Sequence, residues 1–513
     1  MFPSRMAGSM NFWKLPSVVA LGCTVLSGCS ESPVATAPDL TTSQAVSVDA
    51  GPGRYLVVFR SANSVPSTFN ADVAKLGGTV DGVMKNLGAA VVSNINGASA
   101  AKLGSISGVQ SVDLDQTFST KPRRTTITGT DASLLDVDVA SPDAPHTATF
   151  YSVLQWNMQA INAKPAWVAG KVGSPAVKIG VIDTGIDEGS PTVAARRNID
   201  LLGRIDKNLS RSFMPVEDTV VQRLFPGVAL YTDLDGHGTN VASQISSNAF
   251  NFSGVTSKTT LVALKACTIL PAGPGADPGY CSTASVFQAI DYAIEKNLDV
   301  INMSLGGGFL KPECQGCTSI FNRVIGTASR SGVTIVVAAG NEATDLDHDK
   351  NFYSTYCSTP GLICVAATGA ISSGPTQEGP FVSPDAPAIY SNYGRSAINV
   401  AAPGGNYSLN ASGAIVGISY VWSLCPRLTA AEFDEAAGVS KAVGPCSIWG
   451  YVGTSQASPH VAGLAALLVE THGRNPNAIR NTIERTADKL GASGNDPHYG
   501  KGRINVARAL GVI

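Results

Sequence analysis

The chain has 513 residues, 44% hydrophobic and only 14% charged, with 36 Lys and Arg against 38 Asp and Glu for a net charge of −2. That length and apolar share allow one large domain plus a small one, with ample core. The near-balanced charge gives no basis for a nucleic-acid partner or a polybasic membrane contact.

The N-terminus reads as a targeting segment. Arg5 and Lys14 give a basic flank, and Leu15 to Gly28 is an apolar stretch too short to span a bilayer. A start at Met10 would leave a short, basic n-region. The stretch ends in Leu26-Ser27-Gly28-Cys29, which resembles a bacterial lipobox. The resemblance implies cleavage before Cys29 and lipidation of Cys29, with residues 1–29 as the signal. A plain secretory signal is the alternative, so the protein is expected in the cell envelope as a lipoprotein or else outside the cell. Residues 30–52, rich in Ser, Thr, Ala and Pro, read as a flexible tether.

Residues 53–118 alternate strand and helix. Arg54–Arg60, Gly88–Ser93 and Val109–Leu114 read as strands, and Thr68–Leu76 and Ser99–Ile106 as helices. This alternation fits a small α+β, split βαβ module. Residues 119–150, rich in Thr, Ser, Asp and Pro, read as an exposed linker and a place for processing.

From 151 to 513 apolar strands and helices alternate. Strands are predicted near Val177–Asp183, Leu261–Ala266, Val300–Leu305, Thr334–Ala339, Ile363–Ala367 and Ile398–Ala402. Helices are predicted near Thr239–Ser247, Thr283–Asn297, Ser319–Ser331, Ser455–Thr471 and Pro476–Leu490. Such alternation implies an α/β fold with a doubly wound parallel sheet.

Three fragments carry chemistry: Val181-Ile182-Asp183-Thr184-Gly185, Asp235-Gly236-His237-Gly238-Thr239 and Gly453-Thr454-Ser455-Gln456-Ala457-Ser458-Pro459-His460. A serine hydroxyl needs a base to take its proton during attack. Histidine, with an unperturbed pKa of about 6.5, is that base, and a carboxylate fixes its tautomer. The order Asp, His, Ser and the flanking residues resemble the subtilisin-like serine protease (subtilase) family, from about Gln155 to the C-terminus.

The resemblance implies a serine endopeptidase acting on polypeptides through an acyl-enzyme, with Asp183, His237 and Ser455 as its triad and no cofactor in the chemistry. It implies Asn341, after the strand ending at Ala339, as an oxyanion donor beside the Ser455 N–H. It places Ser304, Leu305 and Gly306 along the substrate cleft, where an exposed strand edge can pair with an extended peptide. The module at 53–118 resembles a subtilase propeptide, which implies an intramolecular inhibitor and a self-processing precursor that is otherwise monomeric. A permanent accessory domain is the alternative. The chain stops soon after its last helix, so no further binding domain is expected.

Two function classes compete with this reading. A binding-only relative is disfavoured by the complete triad. An α/β-hydrolase esterase needs glycine two residues after the serine, where Ala457 stands. Gln456 stands where the family commonly has methionine, and its similar length predicts little effect. Residues 415–447 read as an insertion before the nucleophile that shapes the leaving-group side of the cleft.

Eight cysteines beyond the signal's Cys23 and Cys29 suggest disulfides in an exported chain, paired by sequence neighbours as Cys267–Cys281, Cys314–Cys317, Cys357–Cys364 and Cys425–Cys446. The acidic string Asp345, Asp347, Asp349 suits a hard cation, and structural calcium is the metal it would take. It is not an EF-hand, since Lys350 occupies the glycine position, and a solvated acidic loop is the alternative.

Overall fold

A computed structural model describes residues 53–119, 123–128, 143–189, 198–224, 226–271, 278–310, 317–348, 352–354, 356–370, 383–409, 413, 415–426 and 446–513. The signal, the tether, Cys29, Cys314 and Asp349 lie outside them.

The dominant feature is an eight-stranded sheet in the order Ala386–Pro387, Ile363–Gly369, Thr334–Ala338, Val300–Met303, Lys178–Asp183, Thr260–Lys265, Arg211–Ser212, with Val400–Pro403 also on Ile363–Gly369. All pairs are parallel except that of Ala386–Pro387. The central strands are Val- and Ile-rich because both their faces are buried. Alternation sorts each strand between two cores. Ile179, Val181, Leu261, Ala263, Val300 and Val336 face one cluster, and Ile182, Val262, Leu264, Ile301, Met303 and Val337 the other.

The first cluster is roofed by the helices Ala163–Val168, His237–Ile245, Thr454–His472 and Pro476–Thr486. The second is roofed by Thr283–Glu295 and Cys317–Arg330. The predicted doubly wound fold is therefore present. One helix that sequence periodicity did not single out, Pro215–Leu224, brings Glu217 into a buried ion pair with Lys265 at 2.5 Å.

The N-terminal module has strands Gly53–Phe59, Thr79–Met84, Ala89–Ile95 and Val109–Leu114 and helices Phe69–Lys75 and Gly97–Leu103. The order is β-α-β-β-α-β, that of a split βαβ module, laid out as Thr79–Met84, Ala89–Ile95, Gly53–Phe59, Val109–Leu114. The second strand was not anticipated. The pleat divides the strands sharply: Val57, Phe59, Ala90 and Val92 face the module's own helices, while Leu56, Val58, Ala89 and Val91 join the second core of the large sheet. The module is thus packed on the helices Thr283–Glu295 and Cys317–Arg330, and all the described residues fall in one unit.

The segment read as an exposed linker is corrected in part. Thr117–Ser119 pairs with Pro278–Ser282, and Arg123–Thr128 pairs with Cys446–Val452. Further on, Pro145 is buried, and the Phe150 N–H donates to the Asn251 carbonyl at 2.9 Å.

The insertion contributes Val421–Leu424, which pairs with Cys446–Val452. Cys267–Cys281 and Cys357–Cys364 are bonded as expected, and Cys425 is also disulfide-bonded. The side chains of Cys317 and Cys446 are outside the described residues.

Candidate active site

Asp183 is the last residue of the strand Lys178–Asp183, at the carboxyl end of the sheet where open α/β sheets carry their functional groups. His237 opens the helix His237–Ile245. Its Nδ1 lies 2.8 Å from Asp183 Oδ1, and both residues are almost fully buried. Burial disfavours the imidazolium, but the Asp183 charge and hydrogen bond, helped by Asp235 and Asp233, outweigh it and hold the His237 pKa above the ordinary value. Asp183 Oδ1 also accepts the Thr184 N–H at 2.7 Å.

The turn that delivers His237 requires glycine. Gly236 has φ +104°, and a Cβ there would lie 2.0 Å from the Trp449 ring. A buried carboxylate that the sequence reading missed, Asp233, organises this turn. Its Oδ1 accepts from Thr184 Oγ1 at 2.9 Å, Asp235 N at 3.0 Å and Gly236 N at 2.8 Å. Its Oδ2 accepts from Thr239 N at 2.8 Å and Thr239 Oγ1 at 2.6 Å. One carboxylate therefore ties the end of the Asp183 strand to the start of the His237 helix. The available signal was an aspartate four residues before a histidine at a helix start. Lys265 adds support, donating at 2.7 Å to the carbonyl of Thr232 next door.

Ser455 is the second residue of the helix Thr454–His472, whose first-turn N–H groups have no intrahelical acceptor. Pro459 lies within that helix and cannot donate to the carbonyl four residues back, which is that of Ser455. Ser304 Oγ takes that place, donating to the Ser455 carbonyl at 2.6 Å. In return Ser455 Oγ donates to the Ser304 carbonyl at 3.1 Å. The structure thus brings Ser304 and Ser455 together, while His237 Nε2 has no protein hydrogen-bond partner. Catalytic hydrogen bonds are often loose before substrate binds.

Ser304, expected to line the cleft, clamps the turn that carries Ser455. Leu305 is buried in the second core, and Gly307 beyond Gly306 is so close to Phe118 that a Cβ there would lie 2.7 Å from the Phe118 Cβ.

Asn341 follows the strand Thr334–Ala338 and Gly340, whose φ is +103°. Its Oδ1 accepts from Thr454 N at 2.8 Å and Thr454 Oγ1 at 3.0 Å. With the oxygen so engaged on Thr454, the residue just before Ser455, the donor Nδ2 is left for another partner.

In the helix that carries Ser455, buried His460 bonds to the Gln456 carbonyl through Nδ1 at 2.7 Å and to Asn157 Nδ2 through Nε2 at 2.8 Å. Burial pushes its pKa down to about 4, so it is a neutral structural histidine rather than a base. Gln456 is fully buried and neither end of its amide has a protein partner, a costlier arrangement than similarity of length implied.

The acidic loop is spent on local bonds. Asp345 Oδ2 meets His348 Nδ1 at 2.8 Å, and Asp347 Oδ1 accepts Ser396 Oγ at 2.5 Å. Among the described residues no group of three or more His, Cys, Asp or Glu is placed to hold a metal ion.

Residues 174–502 match the subtilase family pattern. The chain is 30% identical over 379 residues to subtilisin E of Bacillus subtilis, covering 73% of this chain and 76% of that one. It is 27% identical over 364 residues to thermitase of Thermoactinomyces vulgaris, covering 70% and 97%. Among solved structures, the epidermin leader peptide processing serine protease of Staphylococcus aureus superposes with a TM-score of 0.58 at 19% identity, covering 90% of this chain and 99% of that one. Fervidolysin of Fervidobacterium pennivorans, a keratinolytic enzyme related to subtilisin, gives 0.58 at 20% identity, covering 90% and 61%. The chain belongs to the subtilase family. It is a serine endopeptidase.

Proposed function

We propose that Ser455 is the nucleophile, His237 its general base and Asp183 the carboxylate that fixes and charges the imidazole. Attack by Ser455 Oγ on a peptide carbonyl passes its proton to His237 Nε2, which later delivers it to the leaving amine. The developing oxyanion is received by Asn341 Nδ2 and the Ser455 N–H at the helix N-terminus. An extended polypeptide pairs along Ser304–Gly306, and no cofactor enters the chemistry. Structural calcium, common in the family, would find Asp345 and Asp347 already engaged.

The observation that carries this reading is the buried 2.8 Å Asp183–His237 bond on a sheet whose neighbouring loops also deliver Ser455 and Asn341. Casein hydrolysis with a fluorophosphonate probe tests it. Inactivation with stoichiometric label on Ser455 is expected, and active enzyme that takes up no label would contradict it.

We further read residues 53–118 as an inhibitory propeptide and the protein as a self-processing, exported, monomeric precursor, with Cys29 as its lipid anchor. The module's contacts support the first part. Asp115 Oδ1 accepts the Ala284 N–H at 2.8 Å, so a module carboxylate caps the helix Thr283–Glu295, where the helix dipole favours negative charge. Arg54 donates to Ser285 Oγ at 2.8 Å and Gln288 Oε1 at 3.1 Å, and the Asn86 N–H to Asp291 Oδ1 at 3.0 Å.

A further inference from the structure

Two described stretches, 117–119 and 123–128, are each paired with strands near the candidate site. Thr117–Ser119 runs antiparallel to Pro278–Ser282, with Phe118 opposite Cys281 and its side chain against Gly307, just past the Ser304–Gly306 edge. Four residues later, at Arg123, the chain is paired again. Arg123 lies opposite Val452, and successive pairs run through Thr128 opposite Cys446.

Val452 stands three residues before Ser455, and Cys446 lies farther back along the same strand. The segment therefore recedes from the nucleophile as it runs from 123 to 128. With Ser455 taken as the nucleophile, 117–119 would belong to the acyl side and 123–128 to the leaving-group side. On that second side six residue pairs are formed, and Arg123–Thr128 is the edge strand of the three-stranded sheet it shares with Cys446–Val452 and Val421–Leu424.

We propose that Cys446–Val452 is an extended binding strand for the leaving-group side of peptide substrates, and that the chain's own residues 123–128 fill it as an internal competitor. Its ligand is an extended backbone of about six residues beyond the scissile bond, held by strand addition. The inference rests on Ser455 being the nucleophile. It adds that cutting between Ser119 and Arg123 frees the module but leaves 123–128 tethered to the mature enzyme. That strand then competes with every substrate long enough to need the same edge. A tethered competitor acts at an effective concentration on the order of millimolar, far above ordinary substrate levels.

The test uses mature enzyme, purified after processing, and a Thr125→Pro/Thr126→Pro form. Neighbouring residues of an antiparallel pair alternate between hydrogen-bonded and non-bonded sites, so two successive prolines remove one ladder donor in either register. Two substrates share an acyl side. One ends in a nitroanilide, and the other carries six residues beyond the scissile bond. The ratio of kcat/KM, extended over nitroanilide, is expected to rise roughly tenfold or more in the double variant as the tethered strand lets go. An unchanged ratio would overturn the proposal. Loss of hydrolysis of both substrates by both proteins would instead overturn the Ser455 reading beneath it.

Discussion

Replacing Asp233 by asparagine is a sharp test of how the site is held. The carboxylate accepts from three donors on Oδ1 and two on Oδ2, all within 3.0 Å. An amide offers one acceptor oxygen. If that oxygen faces the three donors, the new NH2 meets the Thr239 N–H and leaves it unsatisfied in a fully buried site. A buried unpaired donor costs about 1–3 kcal/mol, and loss of charge assistance at the remaining bonds adds roughly 1 kcal/mol. The expected destabilisation is about 3 kcal/mol. Urea unfolding in a Ser455→Ala background, free of self-digestion, measures it. Asp233 is also one of the charges that raise the His237 pKa, after those of Asp183 and Asp235. A base must be neutral to work, so kcat/KM of the parent enzyme should fall on acidification with a midpoint above 6.5, the unperturbed value. In Asp233→Asn that acid limb should move to lower pH. Unchanged unfolding together with an unmoved acid limb would refute the role given to Asp233.

Asn341→Ala should lower kcat by about 10²–10³ with little change in KM, a magnitude carried over from subtilisin; steady-state kinetics on a peptide substrate would check it. Breaking Cys267–Cys281, which closes 14 residues of chain, should cost about 3 kcal/mol in urea unfolding, and equal stability of the Cys267→Ser/Cys281→Ser form would contradict that. The separate module 53–118 should inhibit mature enzyme competitively. Burial pushes Asp291, which accepts from Asn86 of the module, up to about 6. Uncovering Asp291 returns it toward the ordinary value of 3.8, so docking takes up a proton. Inhibition should therefore tighten as pH falls from about 6 to about 4 and be flat above that; a Ki that weakens over this range would count against the interface.

The candidate site could be named from the sequence because its chemistry demands particular residues beside particular turns. Asp183 ends an apolar strand, Gly236 precedes His237, and Ser455 lies at the start of an apolar helix, so three short strings point to it. The supporting contacts were hidden because they are made between distant segments. Ser304 holds Ser455 only because Pro459 removes a donor, and neither fact is visible without the fold. Thr79–Met84 escaped notice because Asp81 and Gly82 are poor strand formers and the strand lies at the edge of its sheet. Arg123–Thr128 carries no apolar alternation and owes its extended form to pairing with a strand more than three hundred residues away. The acidic string Asp345–Asp347 showed composition suited to a cation, but hydrogen bonds to His348 and Ser396 use its oxygens.

The most direct measurement is the intact mass of the purified full chain with and without Ser455→Ala. If Ser455 carries out the covalent step, the parent protein loses its N-terminal module by a cut between Ser119 and Arg123, while Ser455→Ala remains uncut and hydrolyses no peptide. A Ser455→Ala protein that matures at the full rate on its own would contradict the account.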